Sequence, residues 1–174
     1  MFIWNKNKHF SKIIVEFFNN SMADIRELNV ILTSFGAKPI IEADKEKFVL
    51  KTFLFLMFFQ ECALQKKYYP KYKEEVSVVL DAMIYKIADR YHYIPQKLTD
   101  GYLGLRKLLD NMTNVEQVVE IGLYYIVAVG YLQMTFSGKY NPGDVGIYDD
   151  RVEYALANFF QRVTRDNMNY LGLK

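Results

Sequence analysis

Through the first third of the chain, positions 14, 17 or 18, 21, 25, 28, 32 and 35 step by three or four, and all but Ser21 are large and apolar: Ile14, Phe17, Phe18, Ile25, Leu28, Leu32, Phe35. That is the period of one helix face. Asn19-Asn20-Ser21 falls in its middle, and Ser21 with Asp24 three residues on has the form of a helix start, so a kink or break is expected there. Gly36 should stop the helix and Pro39 prevent its resumption. Asp44 then suits the N-cap of a second helix over about 44–68, whose central turns are apolar on every side. A helix of that kind has to be covered all round.

Pro70 fits the first turn of a third helix, with Glu74 and Glu75 at the positive end of its dipole. Its buried stripe reads Val76, Val79, Leu80, Met83, Ile84, Ile87 and Tyr91, leaving Lys73, Asp81 and Arg90 to solvent. After Ile94-Pro95 a short helix holds Leu103, Leu105, Leu108 and Leu109. Thr113-Asn114-Val115-Glu116 has the form of a capping box, which opens a fifth helix over about 114–137. Asn141-Pro142-Gly143-Asp144 suits a type II turn, and Asp150 with Glu153 marks the entry to a last helix buried through Val152, Ala155, Leu156, Phe159, Phe160 and Val163.

No stretch alternates with period two, and no hairpin dipeptide joins β-branched runs. The expectation is an all-α fold: one domain over 1–174, a single compact bundle of about six helices, with helices 44–68 and 114–137 buried at its centre. No residue pattern recurs at the periods of helical solenoids. The strictly apolar run 53–59 covers only about 10 Å as a helix, and Glu120 and Gln133 confine the apolar part of 118–136 to about 18 Å. No transmembrane segment is therefore expected. Lys6, Lys8, His9 and Lys12 interrupt the apolar start, which argues against a secretory signal.

Composition sharpens this picture at two points. The chain of 174 residues has 22 Lys and Arg against 20 Asp and Glu, and a net charge of +2 makes a nucleic-acid partner an unfavoured reading. Its single cysteine, Cys62, excludes an internal disulfide and any site built on several thiolates, in keeping with a cytoplasmic home. Aromatic residues make up 16% of the chain, with 14 Tyr and 13 Phe, and they have to be placed somewhere.

Catalytic groupings are sparse. Asp89-Arg90-Tyr91-His92 resembles half of a bundle metal site, but the only other histidine, His9, has Lys6 three places before it. No metal and no cofactor is expected, and His92 reads as a helix C-terminal residue meeting unpaired carbonyls. Cys62, on a helix read as buried, behaves as a small hydrophobe. Among the acids, Glu116, Asp149, Asp150 and Glu153 stand where capping and the dipole favour them, whereas Glu120 lies inside an apolar stretch.

Three functional readings follow. The first is a non-catalytic protein-binding module, of adaptor, inhibitor or immunity type, acting on a protein partner or on a second copy of itself. Its surface would be the basic-tyrosine corner Lys66, Lys67, Tyr68, Tyr69, Lys71 and Tyr72, although the same stretch can equally be a solvated corner whose rings pack inward. The alternative is a small-molecule domain, with an apolar pocket between the two central helices lined by Phe55, Phe59, Glu120, Tyr124, Tyr125 and Tyr131. Last comes a helical enzyme using Glu120 or the Asp149-Asp150 pair.

Overall fold

The structure is a computed structural model that describes residues 2–68, 71–113, 120–136 and 150–173, with side chains described over 9–68, 71–109, 124–136 and 150–173. Tyr69, Pro70, the capping box beyond Thr113, the side chain of Glu120, the 141–144 turn and Asp149 lie outside these ranges. The described residues form seven helices: α1 (Phe2–Ser34), α2 (Lys38–Ala43), α3 (Lys45–Tyr68), α4 (Lys73–Arg90), α5 (Pro95–Thr113), α6 (Glu120–Phe136) and α7 (Asp150–Tyr170). The described residues include no strand. The fold is an all-α bundle.

α3 is the axis. Five helices surround it in the order α1, α4, α5, α6, α7, each touching α3 and the next in the ring, and α7 closes the ring onto α1. Phe53, Phe55, Leu56, Met57, Ala63 and Leu64 are buried on different sides of α3, as a helix without a polar face requires. By length and composition α3 is the one described helix apolar enough to cross a membrane, a feature hidden when only the run 53–59 is counted. In the fold, 67% of its most apolar stretch is buried by neighbouring helices. α6 also lies in the core, through Tyr124, Val127, Ala128, Tyr131, Leu132 and Phe136.

Four expectations about boundaries change. α4 starts at Lys73 with Tyr72 at its N-cap, so its first turn does not contain Pro70. α1 runs unbroken through Asn19-Asn20-Ser21, because Ser21 faces inward with Phe17, Phe18 and Ile25 and their burial outweighs the weak local propensity. Pro39 does not stop the chain from turning helical again: it occupies the first turn of α2, where its missing N–H is tolerated. α5 is not short but 19 residues long, and it buries Leu98, Tyr102, Leu105 and Leu109 while Leu103 and Leu108 stay exposed.

Three helices, α1, α4 and α7, end in one geometry. After α1, Gly36 takes φ 90°, and the Ala37 and Gly36 N–H groups bond the Leu32 and Thr33 carbonyls, both at 3.0 Å. After α7, Gly172 at φ 70° does the same, with Leu173 and Gly172 donating to Met168 and Asn169 at 2.9 Å. α4 repeats the motif with His92 at φ 50°, the Tyr93 N–H reaching the Ala88 carbonyl at 2.9 Å. His92 does meet unpaired carbonyls, through its main chain.

Candidate functional site

One cluster of aromatic residues fills the space between α3, α6 and α7, and another lies between α1, α3 and α4 through Phe17, Phe18, Phe53 and Tyr91. Phe55 meets Tyr131 edge-on at 4.9 Å between ring centroids, Tyr131 meets Phe160 at 5.5 Å, and Phe160 stacks on Phe59 at 5.2 Å. These distances are those of favourable aromatic pairs. The Thr52 hydroxyl donates to the Phe48 carbonyl at 2.8 Å, so the Tyr131 hydroxyl, 2.9 Å from Thr52 Oγ1, is the donor to it. Burial pushes the Tyr131 phenol well above its usual range. Phe55 and Tyr131 are thus solid core rather than pocket lining.

The remaining members of the expected pocket separate. Tyr125 turns to the α7 side, where its hydroxyl donates to Glu153, and that hydrogen bond above all raises its phenol to about 12. Phe59 and Tyr124 line a cleft of about 300 Å³ with Phe58, Cys62, Val127, Thr164 and Met168, and Tyr124 also borders a small recess of about 20 Å³ with Tyr125. Cys62 is half-buried on its wall, not enclosed.

At the end of that cleft stands a charge pair that hydrophobic patterning passes over. Glu61 and Arg106 are 2.9 Å apart, the carboxylate side chain 4% exposed and the guanidinium 41%. Glu61 also accepts from Gln65 Nε2, one turn further along α3, at 2.7 Å and from the buried Tyr102 hydroxyl of α5. Burial, then the Glu61 charge, drive the Tyr102 phenol far upward, so it remains a protonated donor. Three donors thus hold one carboxylate, an arrangement that anchors it rather than leaving it poised to take a ligand's proton. Glu61, Gln65 and Arg106 also line a second cleft of about 440 Å³, with Lys73, Val76, Ser77 and Leu80. The bridge Glu61–Gln65–Arg106 is therefore a wall common to two clefts.

Glu61 reads from sequence as the far bracket of an apolar run. It carries the same signal as Glu120, an acid inside an otherwise apolar helix.

The basic-tyrosine corner forms where the ends of α1, α3 and α7 meet. Tyr68 packs edge-on against Phe10 at 5.5 Å and Tyr72 at 6.1 Å, and its hydroxyl lies 2.5 Å from His9 Nε2. Lys67 donates to the Leu171 carbonyl at the end of α7 and lies 5.6 Å from the Tyr68 ring centre. Lys66 and Lys71 are exposed, Lys71 over the Tyr72 ring at 5.4 Å. Because α3 and α4 are joined through this corner, Tyr91 and Tyr93 at the far end of α4 belong to the opposite end of the bundle, and Tyr93 borders a cleft with Asp44 at the start of α3.

Among the described residues no three His, Cys, Asp or Glu side chains come together as metal ligands would. Neither histidine lines the clefts beside Glu61. No family model matches the chain, and no curated protein and no solved structure is significantly similar to it.

Proposed function

We propose that the protein is a non-catalytic binding domain for a small molecule, with the site in the cleft between α3 and α6. The observation that carries this reading is the cleft's composition: aromatic and aliphatic walls beside one buried, multiply hydrogen-bonded carboxylate paired with a partly exposed arginine. Small-molecule sites combine a largely apolar lining of about 300–1,000 Å³ with a few fixed polar groups that orient the ligand. Glu61, held from three directions, supplies such a fixed group without the freedom a general base needs.

The test is to fill the cleft. Cys62→Leu adds volume at the half-buried wall and should abolish ligand retention in native mass spectrometry of the purified protein while leaving the helical circular dichroism unchanged. Retention of the same mass by the filled variant would overturn the reading.

A second reading, a module that docks a protein partner, has its support at the corner, where Tyr72, Tyr170, Lys66 and Lys71 remain accessible in part or in full. It loses Tyr68 as a free anchor, because that ring is engaged within the bundle. Alanine at Tyr72 and Lys71 together should weaken a partner's association and leave stability nearly unchanged if this reading holds. A loss of stability with affinity intact would remove the corner from consideration.

A further inference from the structure

Resting on the small-molecule reading, we infer that the ligand is an anionic amphiphile, its tail between Phe58, Phe59, Val127 and Met168 and its head group across the Glu61–Arg106 bridge, beside Lys73 and Ser77. The two clefts differ in character although they share a wall. The smaller, between α3, α6 and α7, is walled by rings, Val127 and Met168. The larger, between α3, α4 and α5, carries Lys73 and Ser77 at one side and Arg106 at the other. A molecule occupying both has to be apolar at one end and polar at the other.

The sign of the polar end follows from the charges. Among the described residues lining either cleft, Glu61 is the sole carboxylate, and Arg106 at 2.9 Å already balances it. Gln65 and Tyr102 solvate the same carboxylate further. Lys73 is then an excess cation, and it makes no ion pair among the described residues. Glu74 and Glu75 follow it along α4 but do not line the cleft. An anionic head group would meet one uncompensated positive charge and the Ser77 hydroxyl, whereas a cationic head would be repelled. A neutral head would gain the apolar contact alone.

The experiment is calorimetric titration of the intact protein, below micelle concentrations, with four probes that share one tail: decanoate, decyl phosphate, 1-decanol and decyltrimethylammonium. The two anions are expected to bind at least ten-fold more tightly than the alcohol, and the cation weakest. Decanoate and decyl phosphate distinguish a carboxylate from a phosphate ligand by which binds the tighter. Lys73→Gln, at an exposed position where folding is not at risk, should weaken the anions about five-fold and leave 1-decanol unchanged. Salt raised from 50 to 500 mM should weaken only the anions. Equal affinity for alcohol and anions, or no effect of Lys73→Gln, would overturn the anionic head. If the alcohol still binds and Cys62→Leu abolishes it, the cleft reading survives that failure. Absence of binding by every probe overturns the inference, and the native mass measurement then decides the cleft reading separately.

Discussion

The Glu61–Arg106 pair makes an asymmetric prediction. Removing one partner of a fully buried ion pair costs about 3–5 kcal/mol, because the other charge is left without solvent or counter-ion, while exposed pairs contribute about 0–1 kcal/mol. This pair belongs to neither class: Glu61 is 4% exposed and Arg106 41%. In Arg106→Ala the carboxylate stays buried with Tyr102 and Gln65 as its remaining donors. Those two hydrogen bonds offset part of the loss, which places the cost at about 2–3 kcal/mol. In Glu61→Gln the guanidinium can turn to water through its exposed face, and the amide oxygen still accepts one hydrogen bond. That change should cost about 1–2 kcal/mol. The double variant should cost less than the two single changes added, with a coupling of about 1 kcal/mol.

Urea unfolding followed by circular dichroism at 222 nm measures all four proteins, and differences of this size are large against a total stability of about 5–15 kcal/mol. If Arg106→Ala costs no more than Glu61→Gln, the carboxylate is not the buried member of the pair and the geometry assigned to the shared wall is wrong. Full additivity of the two changes would mean that the groups do not interact at all.

Further outcomes can be checked with the same unfolding assay. His92→Gly should stabilise by about 0.5 kcal/mol, since it relieves a side chain from the left-handed conformation that Gly36 and Gly172 adopt without strain at the equivalent positions of α1 and α7; a loss would show that the exposed imidazole makes a contact of its own. At Asp24, burial raises the carboxyl above its usual 3.8 and the Arg162 hydrogen bond only partly reverses it, so its contribution to stability is complete below about pH 3.8 and is lost as pH rises through the raised value. Asp24→Asn should therefore gain on the native protein between pH 3.5 and 7, and a steady relative loss would mean that Arg162 dominates. Tyr68→Ala should cost about 2 kcal/mol by removing the ring between Phe10 and Tyr72, and Tyr68→Phe, which lacks only the hydroxyl near His9, about 1 kcal/mol; no change in either would return Tyr68 to the list of free surface anchors.

Where a helix has one wet and one dry face, the apolar pattern predicts its placement residue by residue. On α4 the expected stripe from Val76 to Ile87 is buried, and Lys73, Asp81 and Arg90 are exposed. The pattern is weaker where two faces are in play. Leu103 and Leu108 on α5 are apolar yet exposed, and spacing does not distinguish Tyr102, whose ring is buried while its hydroxyl reaches Glu61, from the leucines around it. The site was harder still to see. Phe59 and Tyr124 were in the expected pocket, but aromatic identity alone did not distinguish them from Phe55 and Tyr131, which fill the core completely. What separates the two pairs is how completely their neighbours cover them, a tertiary quantity: Phe55 and Tyr131 are fully enclosed, whereas Phe59 and Tyr124 border the cleft. Arg106 gave no local signal, because its meaning comes from a partner 45 residues earlier in the chain.

The position of the clefts follows from the same geometry. A central helix that is apolar all round needs cover on every side, and α3 receives it from five helices standing side by side. Five cylinders around one leave seams, and the tightest side-chain packing lies where large rings fill them, as Phe55, Tyr131 and Phe160 do between α3, α6 and α7. Towards its C-terminal end α3 changes character: after Phe59 come Gln60, Glu61, Cys62 and Gln65, short or polar side chains where the earlier turns have phenylalanine and leucine. They cannot fill the seams on either side of α5, and the carboxylate among them has to be matched. Arg106 and Tyr102 project from α5 to do so, and the spaces left on both sides of that bridge are the two clefts. A core built for stability alone would place a leucine at 61, because a well-packed apolar group is commonly as stabilising as a buried pair or more so. The charge pair at this one point of an otherwise dry helix is what the binding reading accounts for and simple core packing does not.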